Sequence, residues 1–246
     1  MSDFLSIFTL DFLYAAIRLA APILLAAIGE LMLEKGGIFN LGIEGGMLMG
    51  GFFGVLGSYY TENVWGGFLF ALLIGAVLGL LFGWAVISLH AHQAVVGTGL
   101  NIFATGLTAL LSRTIWGESA VIEVDAFERL RFPLLSDLPG IGHLLFDHTP
   151  LIYVAFLSVP IAWFILYRTS WGLKIRAIGE YPKAADTMGI HVIRYKYLMS
   201  MVGWMCAAAS GTILTLGFSN MWTDGIASSR GYYAIACVIL GQWSPA

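Results

Sequence analysis

Asn40-Leu41-Gly42-Ile43-Glu44-Gly45-Gly46-Met47-Leu48-Met49-Gly50 is the stretch that decides the fold class. It is apolar apart from Asn40 and Glu44, and glycines 42, 46 and 50, continued by Gly54, recur every four residues. That spacing lines them along one helix face. Small residues in this arrangement let helix backbones approach closely, and packing drives association where no hydrophobic effect operates between helices. Gly75, Gly79 and Gly83 repeat the pattern. The expectation is a tightly packed bundle of membrane helices.

Composition points the same way. Of 246 residues, 59% are apolar before 30 glycines are counted, and 11% are charged, against roughly 25% in an ordinary globular domain. Mean hydropathy is +0.84. So few charges cannot clothe a soluble surface of this size. Nine of the 27 charged residues lie in 113–148 and eight in 168–196, leaving Phe68–Leu89, Ala94–Ser112, Thr149–Tyr167 and Tyr197–Thr223 without Asp, Glu, Lys or Arg. Each is about the length a helix needs to cross the bilayer core. The fold class is therefore all-α, because an unpaired strand edge cannot sit in lipid.

One polytopic domain over 1–246 is expected, with about seven transmembrane or partly spanning segments near 12–28, 37–60, 68–89, 94–112, 149–167, 197–217 and 231–246. Alternation puts 29–36, 90–93 and 168–196 on one side, with seven Lys/Arg (Lys35, Arg168, Lys174, Arg176, Lys183, Arg194 and Lys196) against four on the other. The positive-inside rule makes 168–196 cytoplasmic, 113–148 external and the N-terminus outside. Acidic Asp3 and Asp11 before the first apolar run argue against a cleavable signal peptide. Arg18 either snorkels to the outer interface or faces a pore. The last segment is short, so it is either re-entrant or cut within a larger bundle.

Cys206 and Cys237 both lie in apolar runs, which speaks against a disulfide framework or thiolate metal site. His90 and His92 have no third ligand nearby, so no metal is expected. No Gly-Lys dipeptide occurs, which excludes a P-loop. The chain itself binds no cofactor and is not an enzyme on this reading, and nothing in it suggests a nucleic-acid partner.

Three features bear on function. Glu44 is costly in hydrocarbon, so it faces a cavity or bonds a neighbouring helix end or freed backbone amides. Thr98, Asn101, Thr105 and Thr108 are spaced 3, 4 and 3, one helical stripe. An uncharged polar stripe suits a path for a neutral solute, and interhelical hydrogen bonding explains it equally. In the basic loop, Pro182 is placed as a first helical residue and Gly189 as a stop. The short helix between them cannot stand alone. Ala184, Ala185 and Met188 are expected on its docking face, with Lys183, Asp186 and Thr187 opposite. Docking on a partner and lying on anionic membrane lipid are both open.

The Asn40–Gly50 run, the loop Arg176-Ala177-Ile178-Gly179-Glu180-Tyr181-Pro182-Lys183-Ala184-Ala185-Asp186, and Arg230-Gly231-Tyr232-Tyr233-Ala234-Ile235-Ala236 followed by Gly241-Gln242-Trp243-Ser244-Pro245 together resemble one family. It is the permease subunit of bacterial ABC importers of the branched-chain amino acid/ribose group, closest to its nucleoside and simple-sugar members. The resemblance implies a pore formed with a second permease, two cytoplasmic ATP-binding subunits that use the ATP, and an extracytoplasmic binding lipoprotein that delivers substrate. It implies a multi-pass protein of the bacterial plasma membrane. It makes Arg176, Gly179 and Pro182 to Gly189 an ATPase-coupling segment. Asn40, Glu44, Thr98, Asn101, Thr105 and Thr108 are the candidate substrate path. Relatives continue past the Trp-Ser-Pro motif, so the chain is expected to be C-terminally short relative to the family. Two alternatives remain: a self-sufficient secondary transporter of a small polar solute, whose broken helices Lys35-Gly36-Gly37 and Arg230-Gly231 would open, and an ABC permease for branched-chain amino acids. A membrane scaffold without transport would leave the capped loop helix unexplained.

Overall fold

The computed structural model describes residues 10–117, 123–131 and 146–245. Expectations for the N-terminus and for most of the external loop, 118–122 and 132–145, fall outside these residues.

The chain folds as helices α1 (Leu10–Lys35), α2 (Ile43–Thr61), α3 (Val64–Gly83, extended by a π turn to Ser88), α4 (Gln93–Trp116), α5 (Pro150–Arg168), α6 (Ser170–Glu180), α7 (Pro182–Thr187), α8 (Val192–Thr212, extended by a π turn to Ser219) and α9 (Arg230–Leu240). The strands among the described residues, β1 (Leu130–Arg131) and β2 (Asp147–His148), pair antiparallel. Among the described residues, five helical stretches are long and apolar enough to cross a membrane: Asp11–Lys35, Val64–Ser88, Gln93–Trp116, Pro150–Arg168 and Val192–Ser219. The second segment, α2, is not among them, and its glycine-rich surface is buried in protein. With 11 residues, α9 is about 16 Å long, half a bilayer core.

The glycine spacing read from the sequence has its reason in α8. A Cβ on Gly50 of α2 would overlap the Ala208 backbone, and one on Gly75 of α3 would lie 2.8 Å from the Trp204 carbonyl. Both glycine faces therefore close on the same central helix, where Trp204 is fully buried against Phe82 at 5.6 Å.

Loops join at two ends. At one end the Phe39 amide donates to Gln93 Oε1 (2.8 Å), and Gly37 abuts Gly179 of α6. At the other, Trp65 meets Phe127 edge-on at 4.9 Å, the Phe127 amide donates to Leu216 O, and Tyr14 Oη donates to Asp147 O (2.8 Å). Arg18 lies over the Phe218 ring at 5.0 Å, toward this second end.

Three expected boundaries are corrected. The first helix does not end near 28 but runs to Lys35, so Glu30 and Glu34 lie on it and not in a loop. The second begins at Ile43 and not near 37, because Gly37 takes φ +76° and residues 36–42 run irregularly. The last segment is helical only from Arg230 to Leu240, after an irregular stretch from 220. Irregular backbone at membrane depth is tolerated only where protein or a water-filled cavity supplies its hydrogen bonds, and the side chains that do so make the site.

Candidate functional site

The two irregular stretches meet. Each leads into a helix, α2 and α9, and the first-turn amides of a helix have no partner within it. Glu44, in the first turn of α2, reaches across to α9. Its Oε1 accepts the Ser229 N–H and its Oε2 the Gly231 N–H, both at 2.8 Å. A Cβ on Gly231 would lie 2.5 Å from the Glu44 nitrogen, so only glycine permits this approach. The carboxylate also sits at the positive end of the α9 dipole.

Asn101 of α4 does the same for α2. Its Oδ1 accepts the Gly45 N–H (2.7 Å), while Nδ2 donates to Leu41 O (2.7 Å) and Tyr232 Oη (3.1 Å). Asn40 Oδ1 accepts the Gly42 N–H (2.8 Å), and the Asn40 N–H donates to Glu30 Oε1 (2.9 Å). The structure therefore brings Asn40, Glu44 and Asn101 together. Of the two roles open to Glu44, its bonds are those of a carboxylate holding freed backbone amides.

The α4 stripe divides. Asn101 and Thr108 are buried with Gly97 and Ala104, whereas Thr98 and Thr105 are exposed. A helix turns 3.6 residues per cycle, so 97, 101, 104 and 108 make the inward line and the outer threonines flank it. Thr98, Thr105 and Thr108 each donate to the carbonyl four residues earlier. On the outward face, Gly99 and Gly106 have open space where a Cβ would stand, and Ile102 and Phe103 are bare.

Sequence reasoning missed Ser229, Tyr232 and Glu30. Tyr232 lay in a run already singled out. Glu30 falls within the loop expected at 29–36, whereas it lies on α1.

The basic loop folds as α6 and α7. Pro182 opens α7, and Gly189 at φ +80° closes it, its N–H donating to Asp186 O and that of Ile190 to Ala185 O. The expected docking face is corrected. Ala185 is 4% exposed and packs within this chain, whereas Ala184 and Met188 point outward, Met188 at 81%, alongside Lys183, Asp186 and Thr187. Gly179 lies against the Lys35 carbonyl and Arg176 over the Tyr167 ring at 5.0 Å, so both fasten α6 to the bundle. No group of three metal-ligating His, Cys, Asp or Glu occurs among the described residues.

A family model described as "Branched-chain amino acid transport system / permease component" matches residues 12–246. The chain is 39% identical to the "Putative glucose ABC transporter permease protein TsgC13" of Haloferax volcanii, over 97% of this chain and 72% of that protein. It is 32% identical to the guanosine ABC transporter permease protein NupQ of Bacillus subtilis, over 94% and 75%. It is 31% identical to the nucleoside ABC transporter permease protein NupC of Lactococcus lactis, over 92% and 74%. No solved structure matches it.

Proposed function

Because the chain belongs to the family of branched-chain amino acid transport system permease components, we propose that it forms the translocation path of an ATP-driven importer for a nucleoside or simple sugar. Membership makes it a multi-pass permease whose family works with ATPase subunits and a binding protein. On our reading ATP is bound and hydrolysed by the partner subunits and not by this chain. A second permease completes the pore, and solute arrives from an extracytoplasmic binding lipoprotein. The end carrying 168–196 is cytoplasmic and the N-terminus outside, as the Lys/Arg count requires.

The observation that carries the solute class is the carboxylate at the start of α9. A half-helix N-terminus inside a transporter attracts an anionic group on the substrate, such as an amino-acid carboxylate. Here Glu44 already occupies both free amides. A solute carboxylate would meet a filled site of its own charge. Ser229 and Tyr232 at the start of α9, and Thr98 and Thr105 flanking the α4 stripe, carry uncharged hydroxyls on exposed residues. Such groups suit a neutral, hydroxyl-rich solute better than a branched-chain amino acid. Two of the relatives are named for guanosine and nucleosides and one for glucose, which supports the same class.

The test is uptake by proteoliposomes holding this permease with its ATPase, second permease and binding protein. Guanosine or glucose should accumulate with ATP, and leucine should not. Leucine accumulation without either neutral solute would overturn the reading, and uptake by the chain alone without ATP would favour a secondary transporter.

A further inference from the structure

Two membrane spans end beside α6. Lys35 is the last residue of the span Asp11–Lys35, and Tyr167 is next to last in Pro150–Arg168. The same level carries side chains that favour the membrane–water boundary. Trp163 and Tyr167 of α5 are exposed, Arg168 lies over the Trp163 ring at 5.4 Å, and Trp171 and Leu173 stand bare on α6. A helix that buries Gly172, Ile175 and Ile178 and keeps such groups outside lies along the bilayer surface.

A cleft of about 420 Å³ opens at this level, lined by Glu34 and Lys35 of α1, Tyr167 of α5, Arg176 and Glu180 of α6, and Trp243. Its lining therefore carries two cations and two carboxylates. Neither cation forms an ion pair among the described residues, where the pair found joins Arg129 to Asp147. Arg176 packs over the Tyr167 ring at 5.0 Å, and its Nε is buried with no acceptor. Glu34 is held by the indole N–H of Trp243. A buried donor without an acceptor is costly, and a phosphate oxygen would supply what the protein does not. Basic pockets between membrane helices take lipid headgroups. The carboxylates narrow the class. A purely anionic headgroup would leave them unanswered, whereas a zwitterion answers both signs.

We propose that this cleft binds the headgroup of one phosphatidylethanolamine molecule, with its phosphate on Lys35 and Arg176 and its ammonium toward Glu180 and Glu34. The ammonium N–H groups donate charge-assisted hydrogen bonds to carboxylate oxygens, which the fully methylated choline headgroup cannot do. The bound lipid joins the end of α1 to α6, which leads into α7. The site rests on the chain crossing a membrane, and not on which solute is carried or on which side this end faces.

The test is native mass spectrometry of the purified permease titrated with phosphatidylethanolamine, phosphatidylcholine and phosphatidylglycerol of one acyl composition. Wild type should retain one phosphatidylethanolamine with about tenfold preference over either of the others, the worth of one charge-assisted hydrogen bond. Lys35→Gln and Arg176→Gln should each weaken that binding about tenfold for the same reason. Glu180→Gln should instead bring phosphatidylethanolamine down toward the level of phosphatidylcholine, a change in headgroup preference that a merely structural role would not produce. Free phosphoethanolamine at the same concentration should not displace the lipid; displacement would assign the cleft to a soluble phosphate compound and overturn the lipid assignment. Equal retention of the three lipids, a preference for phosphatidylglycerol, or variants that bind as wild type does would also overturn it. If the variants fail to fold, the wild-type comparison decides alone, and no preference for phosphatidylethanolamine over phosphatidylcholine refutes the site.

Discussion

Replacing Glu44 with alanine removes both acceptors at the start of α9. The two amides differ in their surroundings. Gly231 is buried, so its orphaned N–H costs about 1–3 kcal/mol, whereas Ser229 is exposed and water replaces its acceptor at a net loss of about 0.5–1.5 kcal/mol. Loss of a negative charge at the helix N-terminus adds about 0.3–1 kcal/mol. Glu44→Ala should therefore destabilise the protein by about 2–5 kcal/mol, and a chain of this size loses roughly 2–4 °C of Tm per kcal/mol. Glu44→Gln keeps one amide oxygen and turns its NH2 against the second N–H, so it should lose about half as much. Acetate should restore Glu44→Ala by entering the vacated site: at ten times its Kd it contributes about 1.4 kcal/mol. Wild type, its site filled, should not respond. The assay is thermal unfolding in nanodiscs with and without acetate. A Glu44→Ala variant that melts with wild type would refute the bonding argument. Equal acetate shifts in both would refute the claim that Glu44 fills a solvent-reachable anion site.

Coupling to the ATPase should run through the outward face of α7. Met188→Asp and Ala184→Glu should abolish co-purification of the ATPase with membrane insertion unchanged, while Ala185→Glu should instead destabilise the α6–α7 loop, since its methyl packs inside this chain; Lys183→Ala should be mild, because an exposed ion pair contributes about 0–1 kcal/mol. Normal ATPase recovery with both outward variants would move a lipid-surface role for this loop to the front. For topology, in a Cys237→Ser background an impermeant thiol reagent applied to intact cells should label Asn63→Cys and spare Thr187→Cys. The opposite pattern would reverse the orientation.

The sequence by itself determined the membrane class, the helical architecture, the glycine contacts and the caps of α7. Each rests on local chemistry: the cost of charge in hydrocarbon, the helical period, and the backbone preferences of Pro182 and Gly189. Both glycine stripes were legible for the same reason, although nothing in them said that they close on one helix. Only the tertiary structure decided what the polar side chains do. Glu44 and Ser229 are 185 residues apart, and no local rule pairs a carboxylate with an amide at that distance. Ala184 and Ala185 are chemically identical, and which one turns inward depends on how α7 lies against α6 and α8. Glu30 was read as a loop residue because hydropathy weighs a charge as though water were its only partner. In the folded bundle the Asn40 amide takes water's place on one carboxylate oxygen, and a helix can then carry a carboxyl group through its own core.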